Sequence, residues 1–188
     1  MKKILLSVCV FCLCLCGYAK SNENRPFDFR SVNWGMSRSE VFHAEDSWIF
    51  NREWSDEYML IYDIAVGDYI ENVTYFFDNN VLVLAVYYIN DKYLESSCAY
   101  DALAADLTAK YGKSTKMRQS WVDDFIASDP KDWYGWRRDV DDGLVQNAPC
   151  WVAGDTHLFI MDNGYTFGIY YAPNDRAAVI KSAIFSLL

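Results

Sequence analysis

Histidine is almost missing from this chain. His43 and His157 are the only two in 188 residues, and neither has a cysteine or a second histidine at ligand spacing. A transition-metal centre built on nitrogen and sulfur donors has no donor set here, and no metal or cofactor is expected. Nucleophile and phosphate-binding motifs are absent too. There is no G-x-S-x-G elbow and no glycine-rich phosphate loop, and Cys98 has no histidine near it in sequence. Beyond residue 16 no long uncharged apolar run follows, and a membrane span needs about 20 residues, so no later segment reads as one. Positive charge is in short supply: 17 Lys and Arg face 26 Asp and Glu, for a net charge of −9. Nucleic acid is a poor partner for such a surface.

The chain opens with two lysines, an apolar run over residues 4–16 and then Gly17-Tyr18-Ala19. This is the order of a cleavable secretory signal, with small residues at the minus-three and minus-one positions. Residues 1–19 are therefore expected to be removed, 20–26 to form a flexible lead-in, and 27–188 to fold as a single domain in the periplasm or outside the cell. A lipid anchor is disfavoured, because Phe11, Leu13 and Leu15 put bulky groups before Cys12, Cys14 and Cys16. Only Cys98 and Cys150 lie beyond the signal, and they either pair in an oxidising compartment or stay free and buried.

Ser37 followed by Glu40 reads as a capping box, and it starts a helix at about Arg38 that runs to about Glu45. Strand character then covers residues 58–66, 72–77 and 81–89, with Asp78-Asn79-Asn80 as a tight turn. The run over 81–88 is apolar at both parities, which predicts a central strand covered on both faces. A second helix over 94–111 ends at Gly112, placed as a C-terminal cap. Further strands are expected at 120–125, 144–152, 157–161 and 165–171, with Asp162-Asn163-Gly164 as a hairpin turn, and Asn174-Asp175 caps a short terminal helix. Trp34, Trp121 and Trp151 are expected in the core. The fold class is α+β, helices packed on an antiparallel meander, with two halves that each read as a helix and then strands.

Phe29-Arg30, Trp34-Gly35-Met36-Ser37 and Glu40-Val41, in that spacing, resemble the opening of many small exported bacterial proteins of unknown function. Leu107, Lys110-Tyr111-Gly112-Lys113 and the isolated Trp121 resemble the second helix and next strand of the same group. The order of elements is similar to that of the beta-lactamase inhibitor proteins and of the small outer-membrane assembly lipoproteins. The resemblance implies a fold that works by binding proteins. It brings no inhibitory residues with it, since no motif for them aligns here. The lipobox of the assembly lipoproteins is missing, and residues 122–148 are longer and more acidic than a hairpin connection requires.

That connection carries Asp123, Asp124, Asp129, Asp132, Asp139, Asp141 and Asp142. Gly143 comes one residue too early for an EF-hand loop, so the stretch reads as a solvated acidic loop rather than a calcium site. Inside it sit Trp133, Tyr134, Gly135, Trp136, Arg137 and Arg138. Aromatics and arginine carry binding energy at protein interfaces, and tryptophan also stacks on sugars. Trp133, Tyr134, Trp136, Arg137 and Arg138 are the candidate partner-binding residues; alternatively the two indoles cover a sheet edge as core.

The sequence therefore points to an exported, non-enzymatic module that holds a protein partner through an exposed sheet face rimmed by this loop. Recognition of cell-wall glycan, or hydrolysis of envelope material, are the competing readings. Export predicts a mature chain beginning near Lys20, which intact-mass measurement of the secreted protein checks. An acylated N-terminus at Cys16 would replace that expectation with a lipoprotein.

Overall fold

The computed structural model describes residues 28–45, 49–52, 54–66, 70–89, 97–117, 122–123, 147–162 and 167–185. The first helix, α1 (Arg38–Ala44), begins where its capping box places it. The Ser37 hydroxyl accepts from the Glu40 N–H at 3.3 Å, and the Ser37 N–H donates to Glu40 Oε2 at 2.7 Å. These bonds, the backbone one foremost, hold the Glu40 carboxyl below the usual carboxylate range. Just before the cap, Gly35 adopts φ of +93°, a left-handed turn that an L side chain resists. The turn lets the Gly35 N–H and the Met36 carbonyl bond to Leu82 at 3.1 and 2.8 Å, stitching the entry of α1 to the start of a central strand.

Eight strands form one antiparallel sheet: β1 (Ile49–Phe50), β2 (Met59–Val66), β3 (Ile70–Asp78), β4 (Val81–Ile89), β5 (Thr115–Lys116), β6 (Pro149–Ala153), β7 (Thr156–Asp162) and β8 (Phe167–Pro173). Helix α2 (Ser97–Tyr111) lies between β4 and β5, and α3 (Arg176–Phe185) follows β8. The spatial order is β1-β2-β3-β4-β8-β7-β6-β5. Each half is thus a helix followed by a four-stranded meander. The halves meet at β4 and β8, where Ala85 pairs with Tyr171 and Tyr88 with Gly168. At Gly168 an added Cβ would stand 3.0 Å from the Tyr87 carbonyl oxygen, so any side chain there would have to push the seam apart by a few tenths of an ångström.

The period of two along each strand divides the core into two layers. Tyr62, Tyr75, Tyr87, Ile169, Ile160 and Trp151 face α1 and α2, whose Val41 and Leu107 pack on them. Phe76, Leu84, Val86, Tyr170, Phe159 and Cys150 face the other way. That second face is covered by Met117, Val122 and Ala148, from the two ends of the connection between β5 and β6. Both-parity apolarity in β4 has this cause.

Several expectations are corrected. The strand expected at 120–125 is helical at Val122 and Asp123, the two positions described there. Asn147 is also helical, so β6 starts at Pro149 rather than at residue 144. The short edge strands β1 and β5 carry too few residues for a period to show. Cys150 is buried, with its Sγ 3.7 Å from the Trp151 carbonyl oxygen. It faces the second layer, whereas α2, which carries Cys98, packs on the first. His157 lies on β7 and is buried. Trp151 is core and Trp34 packs against it, while Trp121 lies outside the described residues.

Because the Ser37 side chain accepts one of the helix's orphan N–H groups, Ser37→Ala is expected to destabilise the protein by about 1 kcal/mol. A shift of the chemical denaturation midpoint at constant slope reads it out.

Candidate functional site

One buried charge stands out. Glu45, at the C-terminal cap of α1, is fully buried, and buried carboxylates need partners. Arg30 reaches it through Nε and a terminal nitrogen at 3.2–3.3 Å, Ser31 donates its hydroxyl at 2.7 Å, and the Tyr75 hydroxyl donates at 2.8 Å. Arg30 also donates to the Tyr87 hydroxyl at 3.1 Å. The arginine sits at φ of +50° in a tight turn closed by Phe29 and Val32, which bond N–H to carbonyl in both directions at 3.1 and 2.9 Å. Strain of this kind in a non-glycine residue is often functional. Here it aims the first turn's two side chains at one carboxylate. The four donors leave that carboxylate sealed under α1, so the cluster is a structural lock and offers no room for a substrate.

A cleft of about 310 Å³ lies where the N-terminal segment meets α3, lined among others by Asp28, Trp34, Asp155, Asp175 and Ser182. Asp28, Trp34 and Asp175 already have work in the fold. Asp28 accepts the Trp34 N–H at 2.9 Å, the Trp34 indole donates to Thr156 at 2.9 Å, and Asp175 caps α3 through the Ala178 N–H at 2.9 Å. Among the described residues, no three His, Cys, Asp or Glu side chains come together as a metal site. Nor is any helix of the described residues long and apolar enough to cross a membrane.

The sheet face expected to be open is closed at its centre, where Leu84, Val86, Phe159 and Tyr170 are buried. What stays open is its margin. Among the described residues four large apolar side chains are exposed: Phe42, Ile49, Trp54 and Val152. Three of them surround β1. Ile49 is 72 % and Trp54 66 % exposed, and Phe42 of α1 stacks edge-on against Phe50 at 5.1 Å between ring centres. The turn after β1 is tied by the Ser55 hydroxyl, which donates to the Asn51 carbonyl at 2.7 Å and accepts the Ile61 N–H at 2.9 Å. Trp54 is therefore displayed on a hydrogen-bonded turn, and exposed apolar clusters of this kind mark interaction surfaces.

Trp133, Tyr134, Trp136, Arg137 and Arg138 lie outside the described residues. The β1 edge was not singled out from the sequence, although a signal was there. Trp54 stands alone among Arg52, Glu53, Ser55, Asp56 and Glu57, a position where an indole has no core to join.

The lock also fixes tyrosine chemistry. Burial, and then the nearby Glu45 carboxylate, raises the Tyr75 phenol well above its ordinary value. Burial likewise raises Tyr171, and pushes Tyr62 up to about 12. A raised folded value means that the stabilisation is intact below the ordinary tyrosine value of about 10 and is lost as pH climbs through the raised ones. Alkaline titration should therefore show a class of tyrosines that ionises only above the ordinary value, together with loss of circular dichroism, and Tyr75→Phe should shrink it. No family model, curated protein or solved structure matches the chain.

Proposed function

We propose that this chain is an exported, non-enzymatic module that holds a protein partner. The observation that carries the reading is the β1 margin, where Phe42, Ile49 and Trp54 remain exposed although both core layers are closed. Large apolar side chains left outside a completed core are the usual material of binding hot spots. The functionless alternative is scattered surface apolarity, which is ordinary in single residues. Here three such residues flank a single edge strand, on its two faces and beyond its end.

Two sequence features support the same reading. The amino-terminal lysines, apolar run and Gly17-Tyr18-Ala19 have the order of a secretory signal, which supports a working chain in the periplasm or outside the cell. The helix-then-meander order resembles that of the beta-lactamase inhibitor proteins, which bind proteins. Trp133, Trp136 and Arg137 add side chains of the hot-spot type within the connection whose ends, Met117 and Ala148, pack on the second face of the sheet.

The test is capture of envelope proteins on the immobilised mature chain, compared with Trp54→Ala and with the Trp133→Ala, Trp136→Ala double variant. A retained protein whose affinity falls by about 2 kcal/mol or more in either variant, with melting unchanged, is the expected result. A stability loss of about 3–5 kcal/mol in the double variant would assign those indoles to the core instead. Retention of no envelope protein, or equal retention by every variant, sinks the reading.

A further inference from the structure

We infer that the β1 edge accepts an extended segment of another protein as an added strand, and that the segment it fits has a short apolar centre flanked by lysine or arginine. This rests on the protein-binding reading above and specifies its mode and its partner's chemistry.

The sheet has two outer edges, and they are built differently. At β5 the exposed residues are Thr115 and Lys116, with Lys113 just before them. Lysine on an edge strand opposes further strand pairing, so this edge is guarded. At β1 the strand itself is Ile49–Phe50, with Phe42 beside it and Trp54 beyond its end, and no lysine occurs between residues 42 and 58. An edge left apolar, where the opposite edge is charged, is an edge available for pairing.

The register supports this. Ile49 pairs with Asp63 and Phe50 with Tyr62, and the Asn51 N–H donates to the Ile61 carbonyl at 2.9 Å. Antiparallel main-chain groups alternate in direction from residue to residue. The bond at Asn51 therefore turns the N–H and carbonyl of Phe50 away from β2, toward the open side. A strand arriving there meets that pair of main-chain groups. Its side chains alternate between the Phe42 and Phe50 rings on one face and Ile49 on the other, so an apolar centre is matched on both faces.

Charge chooses what flanks that centre. Asp56, Glu57 and Asp63 are exposed around the turn and the neighbouring strand, against Arg52 and Arg38. Arg38 is already engaged with the Asp56 carbonyl at 3.0 Å. The whole chain carries −9, which draws a cationic segment in at long range. A second copy fits less well. Two β1 edges face to face would set Asp56, Glu57 and Asp63 of each against the other's, and the β5 edge of a second copy has Thr115 and Lys116 where apolar cover for Ile49 is needed.

The probes are three labelled synthetic peptides: KKVIVKK, its charge-reversed form EEVIVEE, and KKVPVKK. The last has the same charge, but its central proline removes a strand N–H and resists pairing. Binding to the mature chain is followed by anisotropy, with the Phe50 amide shift as the structural readout. KKVIVKK should bind about tenfold or more tightly than either control, and Ile49→Asp should weaken it by a similar factor. Ile49 is 72 % exposed, so that variant keeps its fold, which melting verifies. The Lys113→Glu, Lys116→Glu variant should bind KKVIVKK undiminished.

Equal binding of KKVIVKK and KKVPVKK would overturn strand addition, and equal binding of EEVIVEE would overturn the charge assignment. Loss of binding in the β5 variant instead of in Ile49→Asp, or dimerisation abolished by Ile49→Asp in sedimentation, would give the edge to another occupant and overturn the proposal. The two readings fail separately. An envelope protein retained equally by wild type and Ile49→Asp sinks the edge proposal and leaves the binding module standing. Selective KKVIVKK binding without any envelope partner does the reverse.

Discussion

The carboxylate of Glu45 is the point on which the first half of the structure depends. Arg30, Ser31 and Tyr75 all donate to it, and they come from the amino-terminal turn and from β3, while Glu45 itself ends α1. Three separate segments are thus fixed by one buried group. An ion pair sealed from water is costly in desolvation, and replacing such pairs with apolar residues often leaves stability unharmed. What a hydrophobic contact would not supply is direction. Bonds of fixed geometry set the angle at which α1 leaves the sheet, and thereby where Phe42 meets Phe50.

The motif that carried the resemblance is absorbed by this architecture. Phe29 stacks on Tyr75, Tyr87 and Tyr171 with ring centres 4.7–5.8 Å apart, and Arg30 holds Glu45. Trp34 bonds across to Thr156 in the other half, and Gly35 and Met36 bond to Leu82. Ser37 caps α1. Every one of these positions has a structural occupation. A motif whose side chains are all engaged in holding the fold leaves function to be sought elsewhere on the surface.

Local signals were legible in the sequence, and distant partnerships were not. The capping box, the both-parity run of β4 and the glycine after α2 concern residues within a few positions of one another. The structure has α1 at Arg38–Ala44, β4 at Val81–Ile89 and Gly112 at φ of +85°. Glu45 looked like an ordinary helix end, because its partners Arg30 and Tyr75 lie 15 and 30 residues away. The reading of 120–125 as a strand failed where Val122 turns inward from a helical turn to cover Phe159 and Tyr170, and a single apolar position has no period to distinguish the two. The β1 edge escaped notice for the opposite reason: its strand is shorter than any pattern, and only the isolation of Trp54 marks it.

The seam between β4 and β8 has a kinetic consequence. Within each meander, pairs such as Asp78 with Val81 or Ala153 with Thr156 join neighbours in the chain, whereas Ala85 must find Tyr171 after both halves have been threaded through. Closing a long loop sacrifices entropy before its contacts return anything, so such pairings form late. Until then β4 and β8 are themselves outer strands, apolar on both faces, and a chain emerging in order of synthesis would present the first of them to its neighbours before the second exists. The order of synthesis and the order of the sheet make the middle of this protein its last part to form and the most exposed to misassembly while it waits.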